Sequence, residues 1–139
     1  MCDRLKRGNL IVTDMEGNVK YEDFPNEQMG ENLLMLIHPF SQRDSTLLYR
    51  RYLDNNIYEI CLDKSKSVYN VDFGTVGVAL DDLKGIPHQE VKKKLAYSRG
   101  KIKYLIENKD YMQLLFFDNN MPCIAIYDKK NNINSAYFI

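Results

Sequence analysis

Few residues in this 139-residue sequence could do chemistry, and their spacing keeps them apart. The two histidines, His38 and His88, share no HxxxH or HExxH context that would bring a second metal ligand onto one face. His38 closes an apolar run before Pro39 and reads as a strand end or core residue, and His88 reads as the first turn of a helix. Ser41, Ser45 and Ser98 could be drawn into a nucleophilic triad, but none sits in a GxSxG elbow. Glu59, Asp72, Asp81, Asp82 and Asp128 could suggest a carboxylate pair or a calcium site, yet no run has calcium-loop spacing. Asp14, Asp63, Asp72 and Asp128 instead follow apolar runs, where aspartate accepts hydrogen bonds from turn N–H groups. Cys2, Cys61 and Cys123 are odd in number and lack CxxC spacing, so Cys61 and Cys123, inside apolar runs, read as small core residues. Asp72-Phe73-Gly74 spells DFG without the glycine-rich loop, Lys–Glu pair or HRD segment of a kinase. The sequence therefore predicts no catalytic residue, no metal and no cofactor.

Two further patterns point to surfaces. Lys92, Lys93 and Lys94, with Arg99, Lys101 and Lys103, form the densest basic segment, but Glu90 and Glu107 dilute it and it reads as a solvated face. The 19 basic residues balance 19 acidic ones, so no global field draws the chain to nucleic acid. Tyr49, Tyr52, Tyr58 and Tyr69 could line a ligand or partner surface, since tyrosine offers an apolar ring and a polar tip. The competing reading is cross-strand packing.

The elements that must position these residues are short strands. An apolar run ending in Asp, a polar turn and a return strand ending in Phe occur three times: LIVTDMEGNVKYEDF, IYEICLDKSKSVYNVDF and CIAIYDKKNNINSAYF. Asp14 precedes Phe24, Asp63 precedes Phe73 and Asp128 precedes Phe138, each by ten positions, which predicts a repeated hairpin with the three phenylalanines equivalently buried. Further strands are expected at 33–38, 46–51, 102–107 and 111–117, with polar turns at 41–44 and 108–110. The interval from Phe73 to Phe138 is longer than that from Phe24 to Phe73. A short amphipathic helix at 88–98, after Pro87 and with Val91 and Leu95 one turn apart, accounts for the excess. Residues 24–32 and 74–86 read as irregular. With 45% apolar and 12% aromatic residues, residues 1–139 are expected to form one mostly β domain of antiparallel meander sheets.

From about residue 46 to 139 the chain resembles the TolB-like six-bladed β-propeller proteins found among predicted lipoproteins of Bacteroidetes. The match is carried by Asn56-Ile57-Tyr58-Glu59-Ile60, then Val71-Asp72-Phe73-Gly74, then Ala125-Ile126-Tyr127-Asp128-Lys129-Lys130. The resemblance implies a partial β-propeller of about three blades, either a fragment or a natural short form. It also implies an exported, periplasmic or cell-surface parent. The N-terminus has no apolar h-region and only Met1 precedes Cys2, so the sequence as it stands predicts neither an export signal nor a membrane span. Because such a family is recognised by scaffold residues, the expected function is a non-enzymatic binding or interaction module for a protein or glycan. The alternative is a hydrolase-like enzyme with its site at the propeller channel, partly outside this chain. Open sheet edges predict self-association.

Overall fold

The computed structural model describes residues 8–25, 39–51, 53–78 and 80–139. The strand expected at 33–38 with His38, as well as Cys2 and Tyr52, lies outside them. Strands β1 (Gly8–Thr13) and β2 (Val19–Pro25) form a hairpin. Strands β3 (Phe40–Arg43), β4 (Thr46–Arg50), β5 (Asn56–Ile60) and β6 (Ser65–Asn70) form an antiparallel meander in sequence order. A second four-stranded meander follows, made of β7 (Arg99–Glu107), β8 (Tyr111–Asp118), β9 (Met121–Asp128) and β10 (Ile133–Phe138). The first strands of the two sheets, β3 and β7, lie side by side.

The turns form for local reasons. Asp14 Oδ1 accepts from the backbone N–H groups of Glu16 (3.1 Å) and Asn18 (2.8 Å), and Gly17 supplies a φ of +88° at no steric cost. Asn108 Oδ1 accepts from the N–H groups of Asp110 and Tyr111, and Asp128 Oδ1 from that of Asn131. Asp72 likewise accepts from the Gly74 N–H, while Asp63 lies exposed in its turn. The turn expected at 41–44 is displaced. Phe40–Arg43 is strand, and the chain reverses at Asp44, whose φ is +49°, and Ser45. Long-range contacts override the polar composition here: Phe40 packs on the Tyr49 ring at 5.2 Å and Ser41 Oγ donates to the Leu105 carbonyl.

Apolar residues of the two sheets interdigitate in one core, with Leu48 and Ile57 fully buried and Leu105, Met112, Leu114 and Phe116 facing them. Leu10, Phe24 and Tyr49 join the β1–β2 hairpin to the other side of the β3–β6 sheet. Phe24 lies 5.3 Å from Tyr49 on β4, and Phe73 lies 5.2 Å from Phe116 on β8. Each phenylalanine thus packs on the second strand of the sheet that follows it. Phe138 is 71% exposed, contrary to the expected burial, because the described residues include no following sheet to receive it.

Residues 74–86, expected to be irregular, contain 3₁₀ turns at Gly74–Val76 and Leu80–Leu83. They lead into helix α1 (His88–Tyr97), which buries Val91 and Leu95 against Leu53, Val78 and Leu83 and leaves Lys92, Lys93 and Lys94 exposed. Replacing these three lysines together by glutamine is expected to leave unfolding free energy within about 0.5 kcal/mol of the parent, as urea titration can check.

Candidate functional site

Of the four tyrosines singled out in the sequence, Tyr49, Tyr58 and Tyr69 lie among the described residues and do not converge on one site. Tyr49 is buried at 6% exposure between Phe24 and Phe40, in the contact between the β1–β2 hairpin and the next sheet. Tyr58 lies half-buried on the same face, its ring 4.5 Å from Phe24 and its hydroxyl donating to Asp54 Oδ2 at 2.7 Å. Burial and the neighbouring Asp54 carboxylate push the Tyr58 hydroxyl up to about 12, so it remains a donor at any physiological pH. Arg51 completes this cluster, 5.0 Å above the Phe24 ring and paired with Asp54. Tyr69 lies elsewhere, on β6 and facing the second sheet.

Tyr69 belongs to the main polar constellation that sequence reasoning missed. Glu107, at the end of β7, has a side chain with no solvent exposure. Its Oε1 accepts from the Tyr69 hydroxyl, from Lys129 Nζ and, at 3.1 Å, from Arg43 Nη1. Arg43 also reaches Glu59 Oε2 at 3.3 Å, and Lys129 donates to the Asn108 carbonyl. The cluster therefore links β3, β5 and β6 of one sheet to β7 and the end of β9 in the other. Burial alone would raise the Glu107 carboxyl, but hydrogen bonds from Lys129, Tyr69 and Arg43 outweigh it and hold the group below the usual carboxylate range. Burial and the Glu107 carboxylate push the Tyr69 hydroxyl the other way, up. Both groups thus move away from neutrality, which suits a permanent ion-paired latch and not a general acid–base pair. A signal for Glu107 does exist in the sequence. It shares strand parity with the core residue Leu105, and an acidic residue on a core-facing position requires a buried partner.

Arg50 makes a second latch. It is 2% exposed, and its guanidinium donates to the Ile102 carbonyl at 3.1 Å and the Lys103 carbonyl at 3.0 Å. Ser41 donates to the Leu105 carbonyl, Ser98 donates to the Leu95 carbonyl, and Ser45 is exposed in its turn. His88 is exposed at the start of α1. Cys123 is buried and Cys61 half-buried, both as free thiols. Among the described residues no group of three or more His, Cys, Asp or Glu could hold a metal, and no helix is long and apolar enough to cross a membrane. The clefts among the described residues include one of about 320 Å³ beside Gly77, Asp82, Lys94 and Ser98, and one of about 170 Å³ between the Arg99–Asp118 ion pair and Phe138. Neither is lined by Tyr49, Tyr58 or Tyr69.

Two sequential four-stranded meanders, packed face to face with their first strands adjacent, are the layout of neighbouring propeller blades. A family model described as "6-bladed beta-propeller" matches residues 2–138. The chain belongs to this propeller family. Its β3–β6 and β7–β10 sheets are two blades, and β1–β2 repeats the third and fourth strands of a blade. The fold is similar to the crystal structure of a "Putative exported protein" from Bacteroides fragilis NCTC 9343, with a TM-score of 0.70 at 15% sequence identity. That similarity covers 99% of this chain and 40% of the other, so the chain spans two fifths of the length of that protein. No curated protein matches the chain. In blade terms, β3 and β7 are inner strands, the Glu107 and Arg50 clusters are blade-to-blade latches, and the Tyr49–Tyr58 cluster seats the preceding hairpin on the first blade.

Proposed function

We propose that the chain is a non-enzymatic binding scaffold of the TolB-like type, part of an exported protein of a Bacteroidetes bacterium, whose loops contact a protein or glycan. The observation that carries this reading is the use of its buried and half-buried charges: Glu107, Arg43 and Arg50 hold one blade against the next, and Lys129 is tied to Glu107 within the second blade. Groups so paired are poorly placed to exchange protons with a substrate. Export is supported by the name of the structural neighbour and by the family resemblance of the hairpin motifs. Surfaces left for a partner include exposed aromatic side chains such as Tyr97, 75% exposed at the end of α1. The chain also self-associates through its open sheet surfaces, which soluble proteins normally cover.

The expected result of assays against ester, phosphate, peptide and glycoside substrates is no turnover above a heat-denatured control. Clear turnover that a single loop substitution abolishes, in a variant still folded by circular dichroism, would overturn the scaffold reading in favour of a hydrolase-like site at the channel.

A further inference from the structure

We infer that the connection between β6 and β7 carries a binding site for an acidic saccharide, formed by the cleft beside α1 and the lysine–tyrosine face of that helix. This rests on the binding-scaffold reading above and gives its glycan ligand a place and a charge.

The connection, residues 71–98, is far longer than the turns of two to five residues that join strands within each blade. Connections of such length in a compact fold usually carry function. This one is also held rigid. Val91 and Leu95 of α1 pack with Leu53, Val78 and Leu83 in a core separate from the one between the blades. Gly77 bridges to Arg99, and the Val78 N–H donates to the Arg99 carbonyl at 3.1 Å. A surface carried on this segment is therefore pre-organised, which lowers the entropic cost of binding.

The described residues that line the cleft are Gly77, Val78, Asp82, Lys94 and Ser98, and all belong to this one connection. These walls come from no other blade. At about 320 Å³ the cleft lies at the small end of ligand sites, which suits one or two sugar rings better than an element of a folded partner. Its chemistry is mixed: the Asp82 carboxylate accepts and the Lys94 ammonium donates. Ser98 Oγ gives its proton to the Leu95 carbonyl at 3.4 Å and keeps its lone pairs for a ligand. Sugar hydroxyls both donate and accept, so this set can pair with several of them on one ring.

Beside the cleft, Lys93 and Tyr97 stand one helical turn apart, in the row next to Lys94 and Ser98. Tyr97 is 75% exposed, and its ring offers a flat apolar platform on which the C–H face of a pyranose can stack. Lys92, Lys93 and Lys94 are exposed, and none of their ammonium groups has an ion-pair partner among the described residues, whereas Lys84 of the same connection pairs with Asp81 at 2.7 Å. Three uncompensated cations next to a stacking ring favour an anionic sugar over a neutral one. An acidic peptide suits the cleft less well, because its carboxylates would face Asp82, to which a sugar hydroxyl can donate.

Calorimetric titration of the chain with an oligogalacturonate and with a chondroitin sulfate oligosaccharide tests the site, with a malto-oligosaccharide and poly-glutamate as comparisons. The expected result is binding of at least one acidic saccharide that weakens as salt rises and exceeds binding of the neutral sugar. Replacing Lys92, Lys93 and Lys94 together by glutamine should weaken it about tenfold, and Tyr97→Ala should do so by about tenfold as well. Circular dichroism should show both variants folded, since all four side chains are exposed. No binding of either acidic saccharide, or equal binding of the malto-oligosaccharide, would overturn the proposal. Tighter binding of poly-glutamate, indifferent to Tyr97→Ala, would overturn it in favour of an acidic peptide. Shortening of a bound oligosaccharide would uphold the site and overturn only the non-enzymatic reading beneath it.

Discussion

Replacing Glu107 by alanine should lower the stability of the chain by about 3–5 kcal/mol in denaturant unfolding, the typical cost of stranding the partners of a buried carboxylate. Arg43 and Lys129 have side chains only 24% and 20% exposed, and without Glu107 the second of these keeps only the Asn108 carbonyl among its described partners. Tyr69→Phe removes one neutral donor and should cost about 1 kcal/mol. Replacing the whole cluster by apolar residues of similar size should cost less than the single alanine, because no charge is then left buried. A loss below about 1 kcal/mol for Glu107→Ala would mean that water already satisfies the cluster.

The same carboxyl gives a pH dependence with a definite sign. Its folded value lies below its ordinary one, so the folded state favours the ionised form. The contribution is therefore fully present above the unfolded value of about 4.3 and is lost as pH falls through the folded value. Glu107→Gln should flatten the acid limb of the stability curve, which separate urea titrations at several pH values would resolve.

The parts of the fold that were legible in the sequence are those written in local chemistry. The β1–β2, β7–β8 and β9–β10 hairpins are specified by Asp14, Asn108 and Asp128, whose side chains accept from backbone N–H groups two to four residues away, and α1 by the spacing of Val91 and Leu95 beside Pro87. The latch could not be read from spacing, because Glu107 lies 64 residues from Arg43, 38 from Tyr69 and 22 from Lys129. In the sequence its parity with Leu105 marks it as core-facing but does not name its partners. The Phe40–Arg43 strand was obscured in the same way, since its polar composition resembles a turn and its stabilising contacts, with Tyr49 and Leu105, come from other strands. Tyrosine spacing was uninformative for a related reason. Tyr49 and Tyr58 share one face of the first blade, while Tyr69 faces the opposite blade and takes part in ion pairing.

The hairpin repeat itself makes the most discriminating prediction, because its three phenylalanines are chemically alike and structurally different. Phe73 is 7% exposed, packs on Phe116 and closes the core between the blades beside Gly100, where even an added Cβ would approach its ring to 3.8 Å. Phe73→Ala should therefore cost about 3–5 kcal/mol, through lost burial and the cavity left behind. Phe24 holds the equivalent place against Tyr49 and Tyr58, but it anchors a two-stranded hairpin rather than a full blade. Its removal should release that hairpin while the two blades remain folded, which hydrogen exchange would show as loss of protection confined to β1 and β2. Phe138 ends the third copy of the motif at 71% exposure, and Phe138→Ala should change the stability of the single chain by less than about 0.5 kcal/mol. The order Phe73, then Phe24, then Phe138 follows from what each ring packs against, since the motif around all three is the same. Equal losses at Phe73 and Phe138 would show that the motif acts within its own hairpin, and that the packing of each blade on the next is not what holds the chain together.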